Sequence, residues 1–536
     1  MTASSSSRYI HQLLILCLFF FSTPAFAAPC ESLSILKLPD TTIVSAQSVP
    51  AGGLTEPTSP AFKDLSAFCR VIMRIKPAAD SDIKVEVWMP LSGWNGRLQG
   101  TGNGGFGGSL AYSDMAFALR SGDAAAGTDT GHTGTPPDAT WALKHQEKII
   151  DFGHRAIHEM TVKAKAVVAA FYGEGAKHSY FVGCSNGGRQ ALMEAQRYPS
   201  DYDGILAGAP ANYWTHLLTA AVWNIQATEA KPASYIPAAK IPALSAAVLA
   251  ACDGQDGLKD GLVNDPRACH FDPAVLLCHK EAGADSNSCF TAPQVAALKK
   301  IYAGPHDSKG RRIFSGFSPG GEEGGGGWGL WLSGSAPGTS LQFLFGAGFY
   351  KNMVFDDPAW DFKTFNFDTG VKLADDKQAR VLNATDPNVK DFAKHGGKLI
   401  LYHGWSDIAI PPLNTIAYYN SVVRAMGAQS TASFARLYMA PGMQHCGGGP
   451  GPNVFGQWTD TRDSDVQYGA LATLEQWVEK GTAPDKIIAT KYVVDQTRAS
   501  GVKMTRPLCP FPQVAKYKGA GDTNDAANFV CAAAKK

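Results

Sequence analysis

The chain has 536 residues, a formal net charge of +1 and 45% hydrophobic residues. The near-equal numbers of acidic and basic residues exclude the basic excess that is typical of a nucleic-acid-binding domain. The apolar fraction is sufficient for a large core. Because a single hydrophobic core rarely exceeds about 300 residues, we expect two domains.

The N-terminus has the features of a secretory signal peptide. Arg8 lies in a short polar region, residues 13–21 are apolar, and Ala25-Phe26-Ala27 fits the small-residue cleavage rule. The apolar region is too short to cross a bilayer. We therefore predict that residues 1–27 are removed by cleavage near Ala27, and that the mature protein is secreted or periplasmic, with no membrane span.

The cysteines indicate an oxidising compartment. Of the eleven cysteines, Cys17 would leave with the signal peptide, and the remaining ten form an even number. Spacing alone allows many connectivities. Pairing between cysteines that are close in sequence suggests Cys30–Cys69, Cys252–Cys269, Cys278–Cys289 and Cys509–Cys531. The sequence has no Cys-x-x-Cys or Cys-x-x-His cluster that would favour a metal site.

Strand-like and helix-like segments alternate in the first third of the chain. Residues 83–89 and the residues around 124–127 read as strands, and 148–171 has the apolar spacing of a long helix. A short buried strand at 179–183 is followed by a helix at 187–198 and a further strand at 204–208. This alternation predicts an α/β fold with a parallel sheet.

The segment from Gly183 to Gly187 has the Gly-x-Ser-x-Gly pattern of a nucleophile elbow, a sharp turn from strand to helix around an exposed serine. The pattern alone is also compatible with a chance turn. Here Cys184 directly precedes Ser185, and Cys446 directly follows His445. A Cys184–Cys446 disulfide would therefore bring the serine and the histidine together.

Residues 213–375 differ in amino-acid composition from the rest of the chain. They contain cysteine-rich loops, a glycine-rich run at 320–327 and many aromatic residues, and they are too apolar for a linker. We predict that they form a lid domain inserted into a catalytic domain made of residues 28–212 and 376–536.

A cluster of carboxylates lies inside this insertion. Asp253, Asp256 and Asp260 are separated by glycines that allow tight turns, and together with backbone carbonyls they could surround calcium, which prefers six to eight oxygen ligands. The spacing is not that of an EF-hand. The alternative is a series of solvated Asp-Gly turns, although a Cys252–Cys269 bridge would close an ordered loop around the segment.

Two further predicted strands, at 398–404 and 434–439, precede Asp407 and the loop of His445, and a helix follows near 470–480. The order serine, acid, histidine is the one that α/β-hydrolases use. Asp203 and Asp391 are alternative acids, but Asp407 has the better context directly after a strand. His403 and His395 are predicted to be structural.

These residues suit ester chemistry. A neutral imidazole at His445 would remove the proton of the Ser185 hydroxyl, and Asp407 would orient the ring and stabilise the imidazolium. The backbone N–H of Asn186 would stabilise the oxyanion together with an N–H from the glycine-rich segment 102–108. That segment lacks a following basic helix, so nucleotide binding is not expected.

The arrangement of Cys184-Ser185, Asp407 and His445-Cys446 resembles the CS-D-HC motif of the tannase and feruloyl esterase family, which includes bacterial mono(2-hydroxyethyl) terephthalate hydrolases. The resemblance covers essentially the whole mature chain. It implies an α/β-hydrolase fold with an inserted lid, five disulfides and a structural calcium ion in the lid.

The resemblance also implies roles for particular residues. The side chains of Asp253, Asp256 and Asp260 and the carbonyls of Leu258 and Leu262 would bind calcium. The oxyanion donors would be Asn186 and one glycine of the pair Gly104 and Gly105. Asn186 departs from the residues that are common after the serine in this family, which matters little for a backbone donor.

The implied function is hydrolysis of esters of hydroxycinnamic or gallic acid, including esters attached to plant polysaccharides or polyphenols. Segment 344–350 contains no arginine that could hold a free carboxylate, as a lid arginine does in the terephthalate-directed members; Arg311, Arg312 and Lys351 are nearby alternatives with little specificity. The lid aromatics would stack on the substrate ring. The alternatives are a mono(2-hydroxyethyl) terephthalate hydrolase-like esterase, a secreted serine peptidase and a non-catalytic calcium-dependent binding protein.

Overall fold

The computed structural model describes residues 1–2, 27–55, 62–278, 287–457 and 469–534. The predicted signal peptide lies almost entirely outside the described residues, and its identity stays a prediction. One stretch of the described chain, Pro232–Asp256, has the length and apolarity of a membrane-crossing helix. Its main helix has only 12 residues. At about 1.5 Å per residue it is shorter than the roughly 30 Å hydrocarbon core of a bilayer.

A nine-stranded sheet forms the centre of the molecule, in the order β1-β2-β3-β5-β4-β6-β7-β8-β9. Strands β1, β2, β3 and β5 pair antiparallel, and the pairs from β5 through β9 are parallel. The inner parallel strands are short and almost continuously buried, as expected for a sheet with helices on both faces. The predicted α/β fold is confirmed. The strands of this sheet are β1 Thr41–Val49, β2 Phe68–Ile75, β3 Ile83–Pro90, β4 Arg97–Thr101, β5 Ala124–Thr128, β6 His178–Cys184, β7 Gly204–Gly208, β8 Lys398–Gly404 and β9 Ala435–Ala440.

Two small antiparallel pairs follow near the C-terminus, β10 Ile487–Tyr492 with β11 Val502–Leu508, and β12 Gln513–Tyr517 with β13 Phe529–Ala533. The α-helices are α1 Tyr112–Arg120, α2 Gln146–Ile150, α3 Ala156–Tyr172, α4 Asn186–Arg197, α5 Trp214–Glu229, α6 Ile241–Cys252, α7 Ala292–Ala303, α8 Leu341–Phe349, α9 Gly370–Ala374, α10 Arg380–Leu382, α11 Lys390–Lys394, α12 Pro412–Met426, α13 Ala428–Phe434 and α14 Ala470–Lys480.

The helix expected at 148–171 is interrupted by one wider turn. A π-helical turn, Asp151–Arg155, joins α2 to α3. Such turns insert locally without ending the helix. The apolar spacing therefore predicted helix correctly over this segment, but it did not predict the π-helical turn.

The chain between β7 and β8 adds no strand to the central sheet among its described residues. Part of this segment forms a separate core cluster, in which Leu244, Leu298 and Trp328 are buried and which Ile408, after β8, also joins. Another part shares a core with the first third of the chain, where Tyr350 packs in the same cluster as Phe152. The boundaries of a lid domain at 213–375 stay a prediction.

Candidate active site

Ser185 lies at a sharp turn between β6, which ends at Cys184, and α4, which begins at Asn186. Its backbone has φ 65° and ψ −122°. Positive φ is unfavourable for a residue with a side chain and is found where the surrounding structure enforces it. A Cβ atom on Gly183 would lie 2.6 Å from the carbonyl of Gly187, so the two flanking glycines permit the tight turn.

The structure brings together the three predicted members of a triad. The Oγ atom of Ser185 lies 2.9 Å from Nε2 of His445, and Nδ1 of His445 lies 2.7 Å from Oδ2 of Asp407. Each of the three residues follows a strand of the parallel sheet, β6, β8 or β9. Because parallel strands end at the same edge, their following loops meet there.

The two alternative acids lie elsewhere, as does His395, which was predicted to be structural. Asp203 accepts a hydrogen bond from the backbone N–H of Ser179, at the start of β6 and thus at the opposite end of that strand from Ser185. Asp391 and His395 are exposed on and after α11. The geometry therefore selects Asp407 and His445 as the partners of Ser185.

Asp407 is fully buried and held by four donors. Its Oδ1 atom accepts the backbone N–H groups of Ala409 at 2.9 Å and Ile410 at 3.0 Å, and Oδ2 contacts His445 and His403. Burial by itself would raise the pKa of Asp407. The charge of His445 and the hydrogen bonds from both histidines outweigh burial and lower the pKa well below its usual range. The carboxylate is therefore ionised across the neutral range.

His403 is more than a remote structural residue. It is fully buried, and its Nε2 atom lies 3.1 Å from Oδ2 of Asp407 and 3.0 Å from the carbonyl oxygen of Ile410. Its Nδ1 atom lies 2.8 Å from the hydroxyl of Thr415. The hydrogen on Nε2 donates to the carbonyl of Ile410, and the same nitrogen lies close to Oδ2 of Asp407, the predicted acid. The spacing of four residues between His403 and Asp407 is the only sequence signal of this contact.

The Cys184–Cys446 disulfide is present, with Cα atoms 6.0 Å apart. It joins the residue before Ser185 to the residue after His445, so it tethers the turn of the serine to the loop of the histidine. The four bridges that were predicted from proximity in sequence are also present.

The predicted oxyanion donors line one cavity with Ser185. Asn186, Gly104 and Gly105 all border it. Among the described residues, the backbone N–H groups of Gly104 and Gly105 have no hydrogen-bond acceptor. Gly105 has φ 54°, and a Cβ atom there would lie 2.4 Å from the carbonyl oxygen of Pro136, whereas Gly104 faces open space. Both glycines stay candidates for the second donor.

A network of side chains, which the sequence analysis missed, holds the glycine loop against α4. The Nδ2 atom of Asn186 donates to Oδ1 of Asn103, and Gln190 both donates to that oxygen and accepts the backbone N–H of Asn103. Arg189 donates to Oδ1 of Asn186 at 2.8 Å. Arg189 is itself fully buried, and burial lowers its pKa to about 9. The side chain of Asn186 therefore links the glycine loop to α4, the two parts of the predicted oxyanion site.

The cavity beside Ser185 has a volume of about 450 Å³, within the range of small-molecule sites. Much of its wall comes from the chain between β7 and β8, namely Trp214, Leu217, Leu218, Trp331, Leu341, Gln342 and Phe345. The ring of Trp331 meets the imidazole of His445 edge-on, with centroids 5.5 Å apart. None of the described residues that line the cavity is a lysine or an arginine, and Arg311, Arg312 and Lys351 do not border it.

The carboxylates of the predicted calcium loop mostly accept nearby hydrogen bonds. Asp253 accepts the backbone N–H groups of Asp260 and Gly261, and Asp256 accepts that of Leu258. Asp260 accepts the N–H of Leu262 and also pairs with Arg506 at 2.7 Å. The carbonyls of Leu258 and Leu262 belong to the same short loop.

The oxygen donors of this loop fit calcium in type but are not gathered around a centre. Burial raises the pKa of both Asp256 and Asp260, and the charges of the neighbouring aspartates add to this, so a cation would relieve the repulsion. The one group of three potential ligands within 4.8 Å of one another in the described part of the chain is instead His158, Glu194 and Asp201. Calcium binding would require the loop carboxylates to converge, in competition with Arg506.

Comparison with known proteins places the chain among esterases. The family model described as tannase and feruloyl esterase matches residues 69–532. The chain belongs to the tannase and feruloyl esterase family. It is 44% identical over 535 residues to an uncharacterized esterase of Xanthomonas campestris pv. campestris, covering 95% of this chain and 92% of the relative. It is 32% identical over 520 residues to a probable feruloyl esterase B-2 of Neosartorya fischeri, covering 95% and 96%.

Solved structures of the family share the architecture. The crystal structure of feruloyl esterase B from Aspergillus oryzae superimposes with a TM-score of 0.86 at 29% identity, covering 94% of this chain and 99% of that one. Tannin acyl hydrolase from Aspergillus niger gives a TM-score of 0.73 at 22% identity over 95% and 94%, which shows the same fold. The protein is a carboxylic ester hydrolase of the feruloyl esterase and tannase type.

Proposed function

We propose that the protein is a secreted serine esterase that hydrolyses esters of hydroxycinnamic or gallic acids through an acyl-enzyme on Ser185. The observation that carries the proposal is the hydrogen-bonded series Ser185, His445 and Asp407. Ser185 and His445 line an apolar cavity together with several aromatic residues. A hydroxyl in contact with a base, which is oriented by an ionised acid, is the arrangement that nucleophilic catalysis needs.

In the proposed mechanism, Nε2 of His445 takes the proton of Ser185 as Oγ forms a bond to the ester carbonyl carbon. The carbonyl electrons move to the oxygen, which the N–H of Asn186 and that of Gly104 or Gly105 would stabilise. The intermediate collapses, the bond to the alkoxy oxygen breaks, and His445 returns the proton to the leaving alcohol. Water then attacks the carbonyl carbon of the acyl-enzyme while Nε2 of His445 takes a proton from the water. The bond between that carbon and Oγ breaks, His445 returns the proton to Oγ, and the acid is released with Ser185 restored.

The nature of the cavity supports an aromatic acid. Trp331 and Phe345 offer ring faces and edges to a planar acyl group, and aromatic pairs gain about 0.5–1.5 kcal/mol beyond the burial of their surface. A free carboxylate on the substrate would find no lysine or arginine among the described lining residues. Sequence alignments with relatives that are named probable feruloyl esterases cover nearly the whole chain. Hydroxycinnamic and gallic esters are therefore favoured over a terephthalate monoester.

We further propose export and calcium binding as accessory features. Five disulfides support an oxidising location. The repulsion among Asp253, Asp256 and Asp260 supports a cation in their loop, held by these carboxylates and by the carbonyls of Leu258 and Leu262. The ion would stabilise the fold without taking part in the attack by Ser185.

A labelling and release assay tests the proposed function. The purified mature protein is treated with a fluorophosphonate, the labelled peptide is identified, and turnover is measured on methyl ferulate, methyl gallate, chlorogenate, mono(2-hydroxyethyl) terephthalate and a peptide anilide. We expect labelling of Ser185 and fastest turnover of the first three. Labelling without ester turnover but with anilide cleavage would indicate a peptidase, and a folded protein that is neither labelled nor active would indicate a binding protein.

A further inference from the structure

The cavity beside Ser185 contains a carboxylate that the proposed mechanism does not use. Asp114 lies in the first turn of α1 and borders the same cavity as Ser185 and His445. Its side chain is partly exposed to this space. Among the described lining residues it is the one acidic side chain, in a wall that is otherwise mainly apolar.

Asp114 has no neutralising partner within the described part of the chain. Neither a side chain nor a backbone N–H donates a hydrogen bond to its carboxylate there, and no basic residue pairs with it. Burial alone raises the pKa of Asp114 to about 7. The carboxylate is open to the cavity and receives no hydrogen bond from the described protein residues, so it is free to accept one from a hydroxyl group of a molecule that fills the cavity.

A second polar group faces the same space. The phenol of Tyr402, on β8, borders the cavity, and burial followed by the charge of Asp114 raises its pKa. Tyr402 and His445 are the other titratable side chains of the described lining. The wall thus combines an acceptor at Asp114 with a protonated phenol at Tyr402. This pair suits a neutral hydroxyl group, which can donate to the carboxylate, and it repels a second carboxylate.

We propose that Asp114 is a specificity-determining residue of this esterase, which accepts a hydrogen bond from a phenolic hydroxyl of the aromatic acid and disfavours acids that carry a second carboxylate. The inference rests on the proposed function, because it requires the aromatic acid to occupy the cavity beside Ser185. It assigns the discrimination between phenolic acids and terephthalate-like acids to one side chain.

The test uses four methyl esters that differ only at the para position of the ring, namely those of cinnamic, 4-hydroxycinnamic, 4-methoxycinnamic and 4-carboxycinnamic acid. kcat/KM is measured at pH 8 for the unmodified protein, Asp114→Asn, Asp114→Ala and the exposed control Asp391→Asn. A hydrogen bond to a charged group contributes enough for about tenfold discrimination. We expect the unmodified protein and the control to prefer the hydroxy ester over the methoxy ester by about this factor.

Both Asp114 variants should lose that preference and should cleave the 4-carboxy ester about tenfold faster relative to cinnamate. Thermal melting and fluorophosphonate labelling of Ser185 establish that each variant is folded. If Asp114→Ala is unstable, the relative rates of Asp114→Asn test the inference, since this variant preserves the size of the side chain. Unchanged relative rates in folded Asp114→Asn would overturn the inference and leave the proposed function standing. Failure of the labelled, unmodified protein to cleave any of the four esters would overturn both.

Discussion

The backbone at Ser185 is strained, and this strain places the hydroxyl where His445 can reach it. The positive φ of Ser185 persists because Gly183 and Gly187 allow close approach of the strand and the helix. The position of the proposed nucleophile therefore depends on the turn and not on the serine side chain alone.

Replacing a member of the triad should remove activity without unfolding the protein. We expect Ser185→Ala and His445→Ala each to lower kcat by about 10⁴-fold or more, because triad members act as a unit and their losses do not add. The measurement is turnover of an aryl ester alongside circular dichroism, with His395→Ala as an exposed histidine control. Substantial turnover by folded Ser185→Ala would contradict the assignment of the nucleophile.

His403 should influence catalysis through Asp407. His403→Leu removes the donor at 3.1 Å from Oδ2, and we expect kcat to fall about tenfold with little change in KM, whereas His403→Gln, which keeps an N–H donor, should lose less. Because the contact lowers the pKa of Asp407, that pKa should rise toward its ordinary range without the contact, which an NMR titration with carbon-13-labelled aspartate measures. An unchanged pKa of Asp407 in a folded His403→Leu protein would assign a packing role only.

The loop that carries His445 is tied to the end of β6 by the Cys184–Cys446 disulfide. Loop-entropy models give roughly 3–5 kcal/mol for bridges that close long loops, although measured values are often smaller. Replacing both cysteines with serine should lower the melting temperature and also lower kcat at temperatures where the protein stays folded, because His445 loses its anchor.

The matched control for this bridge is Cys509→Ser with Cys531→Ser, which opens a disulfide between the residue after β11 and β13, outside the cavity lining. We expect this control to lose stability but to keep kcat. Equal kcat in both double variants would show that the Cys184–Cys446 bridge does not position the histidine.

Helices α3 and α4 meet at a buried carboxyl group. Glu194 on α4 is 1% exposed. Among the described residues, the only group close enough to share a hydrogen with its carboxylate is the carboxyl group of Asp201. Asp201 in turn contacts Nδ1 of His158 at 2.6 Å. Burial, and then the proximity of Asp201, raise the pKa of Glu194 well above its usual value. Glu194 is therefore expected to keep its proton at neutral pH.

This proton makes stability fall as pH rises. Above the unfolded pKa of a glutamate, about 4.3, the unfolded chain releases the proton while the native state retains it, so the free energy of unfolding decreases by roughly 1.4 kcal/mol per pH unit until the native pKa is reached. Glu194→Gln should thus be more stabilising at pH 8 than at pH 5 in urea unfolding. The exposed Glu174→Gln serves as control, and an equal effect at both pH values would refute a raised native pKa.

Calcium, if bound, should act on the stability of the whole molecule. A ligand that binds only the native state raises the free energy of unfolding by about 2.7 kcal/mol at a hundredfold excess over its Kd. Prolonged EDTA treatment or Asp256→Ala should therefore lower the melting temperature more than turnover at a mild temperature, and Asp391→Ala should do neither. An unchanged melting temperature in metal-free protein would indicate that the loop consists of solvated turns. If the metal-free protein is folded but inactive and calcium restores its activity, a purely stabilising role is refuted.

The sequence determined the features that local patterns encode. Alternating apolar segments gave the strands β3 and β6 to β9 nearly to the residue, and the glycines around Ser185 predicted its turn. The triad could be predicted because its members follow strands in a known order and because two cysteines flank the serine and the histidine. The exceptions are local too, such as the π-helical turn at Asp151–Arg155, which apolar spacing does not reveal.

Only the tertiary structure decided which distant residues complete the site. Asn103 lies 83 residues from Asn186 and 87 from Gln190, yet the three side chains share hydrogen bonds. Asp114 and Trp331 enter one cavity from α1 and from the chain between β7 and β8. Such contacts depend on how helices and loops pack on the sheet, so they leave no periodic or spacing signal. Strands and the elbow arise from interactions between near neighbours. The predicted triad joins distant residues, but the strand order of a parallel sheet and the two flanking cysteines mark its members in the sequence.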